Sequence, residues 1–202
     1  MLALFATATL VSLMQSNTPH GWVPCDDPIT TACVRTDDAG NWVRFDEGAN
    51  EITMTVLDAS SGEARQNFST ERWQNRFQPE FRDINQDGLA ELVVPTDAGA
   101  ANLTWSIWQW TEERYALAGN VSGLGLEYDA ETDLIAATAR FGQASAIQQT
   151  YRLQPSGLVP VYDLVSELSD GSCELTPGAG FADSGLDAEA LVTQCETELK
   201  AP

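Results

Sequence analysis

The chain has 202 residues, enough for one medium domain with a packed core, and its 43% hydrophobic content separates it from disordered chains. Thirty acidic residues against ten basic ones leave a net charge of −20 and a pI near 4.1, with Lys200 as the single lysine. A surface of this sign repels phosphate backbones and anionic headgroups, which argues against nucleic acid and points either to solubility in a salty or divalent-rich medium or to attraction toward a cationic partner.

In chain order, Met1–Met14 is apolar and uncharged, shorter than a bilayer span and matched to the apolar part of a secretory signal. Residues 1–20 are therefore expected to be a signal peptide with an undefined cut site, the mature protein to be periplasmic or secreted, and no membrane span to be present. Cys25, Cys33, Cys173 and Cys195 fit an oxidising compartment. Local pairing, 25–33 and 173–195, is favoured among the three connectivities that four cysteines allow. The spacings and the lone His20 do not make a zinc site.

Residues 21–165 read as an all-β domain, an antiparallel meander of small β-propeller-like form, with a β-sandwich as the alternative. Asn50–Asp58 alternates, placing Ile52, Met54 and Val56 on one face, and Ser60-Ser61-Gly62 turns into a strand over 64–69. Strands are predicted over 89–95 and 101–110; in the second, Leu103, Trp105 and Ile107 share one face and Trp108 and Trp110 the other. Thr111–Arg114 turns into Tyr115–Leu117, and further strands fit 133–140, 146–153 and 158–164, the last two joined through Pro155-Ser156-Gly157. Residues 166–202 form a disulfide-pinned tail: a long loop over 169–180, then a helix over 187–199 capped by Ser184 or Asp187. No βαβ alternation is present, which disfavours a parallel sheet.

One segment carries specific chemistry: Asp83-Ile-Asn-Gln-Asp-Gly-Leu-Ala-Glu91. Hard cations take oxygen ligands, and alternate side chains of a turning segment, here Asp83, Asn85 and Asp87, converge on one point. Gly88 stands where the backbone bends, Leu89 offers its carbonyl and Glu91 a further carboxylate. Three carboxylates so close repel one another without a cation, so Ca2+ is the expected cofactor; a plain Asx turn is the competing reading. Val94, not Glu, occupies the twelfth position, and strand rather than helix follows, so this is not an EF-hand.

Phe81–Val94, followed by Trp105–Trp110 and the Glu112-Glu113 turn, resembles the calcium loop and strand of FG-GAP/VCBS-type propeller blades. From Trp73 to Leu164 the chain more closely resembles bacterial β-propeller-like, calcium-binding proteins akin to periplasmic lysozyme inhibitors, through Glu127–Ile135 and Tyr151-Arg152-Leu153 as well. The resemblance implies Asp83, Asn85, Asp87 and Glu91 as calcium ligands, and an immunity or inhibitor role against a peptidoglycan hydrolase. The Ser-Gly-x-Tyr plug of such inhibitors has no counterpart, since Tyr128 lies too far from Ser122-Gly123, so no inhibitory residue carries over.

Catalytic equipment is sparse. His20 stands alone beside Pro19 and Gly21, the cysteines are expected to be oxidised, and no phosphate-cradling loop exists. A non-catalytic monomer is expected, binding a cationic cell-wall hydrolase or, alternatively, acting as a calcium-dependent adhesion or glycan-binding module. Trp108, Trp110 and Tyr128 are the candidate binding surface. A glycosidase carboxylate pair is a third reading that the spacing does not support.

Overall fold

The computed structural model describes residues 33–36, 40–71, 79–99, 102–111, 114–142 and 144–200. The signal segment, His20, Cys25 and hence the 25–33 pairing, Trp73 and the Glu112-Glu113 turn lie outside the described residues. Strand accounts for 60% of the structure, all of it antiparallel, with one C-terminal helix, as expected from the sequence.

The strands form three sheets, each a meander completed before the next begins. The first holds β1 (Cys33–Thr36), β2 (Trp42–Glu47), β3 (Glu51–Leu57) and β4 (Ala64–Glu71). The second holds β5 (Glu80–Arg82), β6 (Glu91–Ala98), β7 (Leu103–Thr111) and β8 (Arg114–Gly123). The third holds β9 (Leu126–Asp129), β10 (Leu134–Phe141), β11 (Ser145–Gln154), β12 (Gly157–Glu167) and β13 (Ser172–Pro177), and α1 spans Ala188–Leu199. Each sheet is blade-like, but the described residues form no closed propeller.

Side-chain alternation makes the sheets stack. Phe45, Ile52, Met54 and Val56 of the first sheet meet Leu92, Val94 and Tyr115 of the second. On the other face of β6 and β7, Val93, Trp105 and Ile107 meet Leu126, Ile135, Ala137 and Leu153 of the third. Leu134, Val161, Tyr162 and Leu164, on the third sheet's far face, are covered by Leu186, Leu191 and Val192 of the C-terminal segment. The middle sheet is thus apolar on both faces, which is why β6 reads as the unbroken run Leu92-Val93-Val94.

Turn chemistry agrees with the sequence. The Asp58 carboxylate accepts from the N–H groups of Ser60 and Ser61 at 2.8 Å, and Gly62 adopts φ +72° to close the hairpin. At the Pro155-Ser156-Gly157 turn, Gly157 has φ +116°, and a Cβ there would lie 2.6 Å from the Ala118 carbonyl oxygen of β8, so only glycine fits. Pro95 lacks an N–H for the ladder, and the pairing of β6 with β7 shifts by one residue between Pro95 and Asp97.

Three expectations are corrected. The segment 169–180 is not a loop throughout: Cys173 and Leu175 alternate inward along β13, a pattern hidden among Gly and Pro, and β13 pairs with β12. β6 begins at Glu91, leaving Leu89 exposed in the loop. β8 runs on to Gly123, well past Leu117, because pairing with β7 carries it over residues of low strand propensity. The helix is as predicted, with Asp187 as its cap, accepting from the N–H groups of Glu189 and Ala190. Cys173 and Cys195 are joined, bonding β13 to α1.

Candidate functional site

The acidic segment is the closing loop of the β5–β6 hairpin, whose last pair is Arg82 opposite Glu91. Two side chains pin it from below: Ile84 is 2% exposed in the core between the second and third sheets, and Ala90 is buried next to Glu91. With Ile84 pointing in, Asp83, Asn85 and Asp87 are left on the outer side. Positive φ at Gln86 (+55°) and Gly88 (+91°) curls the backbone back over them.

That curl aims backbone N–H groups at the acidic side chains. Asp83 accepts from the N–H of Asp87 at 3.1 Å and of Gly88 at 3.0 Å, and Asp87 accepts from the N–H of Leu89 at 2.8 Å. The Asn85 amide donates to Asp87 Oδ2 at 2.9 Å, and its oxygen accepts from the Asp87 N–H at 3.3 Å. Asp83, Asn85 and Asp87 are thus brought into one bonded group. Among the described residues, however, no three His, Cys, Asp or Glu side chains stand at metal-binding separation.

Glu91 differs from the others. It is 1% exposed, and its Oε2 accepts from the N–H of Ile84 at 2.9 Å. Burial pushes its carboxyl from 4.5 up to about 7, with the nearby charges of Asp87 and Asp83 adding to the rise and the Ile84 bond opposing it. Among the described residues, the groups that act on this buried carboxyl are backbone N–H groups, that of Ile84 among them, and the negative charges of Asp87 and Asp83, with no basic side chain. Were a cation held here, the side-chain oxygens of Asp83, Asn85, Asp87 and Glu91 and the Leu89 carbonyl would supply only oxygen donors, the kind calcium takes.

The remaining candidates separate. Tyr128 packs against the core cluster that holds Ile84 of the loop, and its hydroxyl donates to Asp133 at 3.1 Å. Partial burial first, then Asp133, raise its phenol above the ordinary value, with Asp83 and Asp129 contributing. Trp108 and Trp110 are elsewhere, packed between the first and second sheets. Trp108 lies 4.5 Å from the Phe68 ring, and its buried Nε1 has no hydrogen-bond partner among the described residues; Trp110 meets Tyr115 edge-on at 5.1 Å. The opposition of Trp105 to Trp108 and Trp110 is as the alternation implies, and Trp108 and Trp110 are partly buried against the core shared by the first and second sheets.

Sequence reasoning missed Arg82, whose guanidinium donates to the Leu126 carbonyl at 2.9 Å and ties the loop's hairpin to the third sheet. Nothing local marks that partner, 44 residues away. Compared with known proteins, the chain matches no family model, no curated protein and no solved structure.

Proposed function

We propose that this chain is an exported, non-catalytic calcium-binding β scaffold, with Asp83, Asn85, Asp87, Glu91 and the Leu89 carbonyl as ligands. The observation that carries the reading is Glu91. A plain Asx turn accounts for the hydrogen bonds of Asp83 and Asp87, but it has no use for a third carboxylate buried beneath it. The Ile84 N–H offsets only part of the cost of burying this carboxyl, which is still pushed up to about 7, and a bound cation would offset the rest. The Cys173–Cys195 bond supports a compartment outside the cytoplasm.

The partner reading is a cationic protein, a peptidoglycan hydrolase as the resemblance to periplasmic lysozyme inhibitors implies. A net charge of −20 accelerates encounter with a basic enzyme and makes binding fall with salt. Calcium binding to the folded form alone stabilises it by about 3 kcal/mol at a hundredfold excess over Kd. Calorimetric titration with calcium and melting with and without chelator test the first part. A chelator-sensitive melt that Asp87→Ala makes insensitive supports it, and an identical melt under both conditions removes it. Salt-dependent inhibition of a basic lysozyme tests the second part, and inhibition absent across a range of such enzymes discards it.

A further inference from the structure

The third sheet presents a second candidate site, far in sequence from the acidic loop. Its outer face is set by register: Thr138 pairs with Gln148 and Gln148 with Leu164, while Arg140 pairs with Ala146 and Ala146 with Ser166. α1 packs against β13 and one side of β12, held by the Cys173–Cys195 bond. The rows on β10 and β11 are left beside the helix instead of beneath it. A half-enclosed cavity of about 250 Å³ results, with Thr138, Gln148, Tyr162 and Ser166 on the sheet side and Gln194 and Glu198 on the helix side. A second hollow of about 290 Å³ continues it past Thr138 and Ala146 toward Leu124, Arg140 and Leu168.

Three features of the lining select a ligand. First, the groups of the inner cavity are hydroxyls and planar amides, with one carboxylate, Glu198, and no basic side chain among the described lining residues. An anion therefore has nothing to pair with there, and the −20 surface repels it further. Second, the polar groups are loosely engaged. The Gln148 amide donates to Tyr162 Oη at 3.3 Å and Thr150 Oγ1 at 3.4 Å, long for such bonds, so a ligand hydroxyl can replace either partner with little loss. The Gln194 amide donates to Glu198 at 2.9 Å, which orients both planes along the helix wall. Third, apolar surface from Leu164, Leu191 and Leu199 lies among these groups, and Leu168, 59% exposed, flanks the outer hollow.

Planar amide and carboxylate groups match vicinal hydroxyls, and the leucines match the C–H face of a sugar ring. Together the two hollows reach the size of a small-ligand site. We propose that this groove is a saccharide-binding site that takes one neutral hexose-sized unit in the inner cavity, with a linked unit lying toward Leu168. The site does not depend on the acidic loop.

The test is titration of the intact, disulfide-bonded protein with glucose, galactose, mannose and N-acetylglucosamine, followed by backbone amide NMR shifts. The expected result is a saturable response to at least one sugar, centred on β10, β11 and the last turns of α1. Binding should weaken about tenfold or more in Gln148→Leu, which removes the central amide, and in Ala146→Trp, which fills the groove. Thr138→Val, at an exposed strand position, serves if either variant fails to fold. The response should persist in Asp87→Ala, which separates this site from the calcium reading. No saturable response to any of the sugars, shifts confined to other elements, or binding unchanged in the groove variants overturns the proposal.

Discussion

Replacing Glu91 by Gln should stabilise the calcium-free protein and destabilise it relative to the parent when calcium is present. The carboxyl ionises near 4.5 when exposed, and burial moves it to about 7 in the folded, metal-free chain, with Asp87 and Asp83 assisting. Because the folded value is the higher one, the folded state holds the proton more tightly. The associated stability is fully present below about pH 4.5 and is lost as pH rises to and through 7. At pH 8 the loss amounts to about 3 kcal/mol, from roughly 1.4 kcal/mol per unit of displacement. Gln cannot ionise, and its carbonyl can still accept from the Ile84 N–H, while its new amide lies in the field of Asp83 and Asp87. A partly unsatisfied amide takes back about 1–2 kcal/mol, leaving a net gain of about 1–2 kcal/mol in chelator at pH 8. Saturating calcium stabilises the parent by about 3 kcal/mol and the variant by much less, so the order reverses. Urea unfolding of both proteins at pH 5 and pH 8, in chelator and in calcium, reads all four cases. A stability difference between the two proteins that is the same at pH 5 and pH 8 in chelator refutes the reasoning about Glu91, and one that is unmoved by calcium refutes its role as a ligand.

Three further changes to the sequence have expected outcomes. Cys173 and Cys195 are separated by 22 residues, so the double change to Ser should cost about 3 kcal/mol through the unfolded chain. α1 buries no residue fully, so it should also become the first site of proteolysis, and a melting curve indifferent to reductant would contradict this. Gln86 holds φ +55°, which costs a side-chain-bearing residue on the order of 1 kcal/mol, so Gln86→Gly should raise the melting temperature slightly; a fall would mean that its side chain contributes more than its backbone strain. Gly157→Ala forces a methyl against the Ala118 carbonyl at 2.6 Å and adds strain at φ +116°, so it should destabilise by about 2 kcal/mol or more by urea unfolding, and a neutral result would show that the turn can shift.

Much of the local structure was legible in the residues. Alternation over Ile52, Met54 and Val56 and the opposed tryptophans of β7 identify strands and their faces, because strand periodicity is a property of the backbone itself. Asp187 ahead of an amphipathic run likewise marks a helix start, since its carboxylate reaches its own chain's N–H groups. The bonded group of Asp83, Asn85 and Asp87 was equally visible, being formed within nine residues of chain.

Tertiary structure decided what each face meets. Alternation told Trp105 from Trp108 and Trp110, but only the stacking of sheets on both sides of the second decided that each face meets a core. Glu91 was recognisable as a candidate ligand, yet its burial depends on Ile84 and Ala90 sinking into a core shared with another sheet. The groove beside α1 has no sequence signature, because Thr138, Gln148 and Gln194 come together through strand register and one disulfide across more than fifty residues. Periodicity and capping act over a few bonds and can be read from the chain; burial and convergence depend on which distant surfaces come to face each other, and those are settled only when the sheets pack.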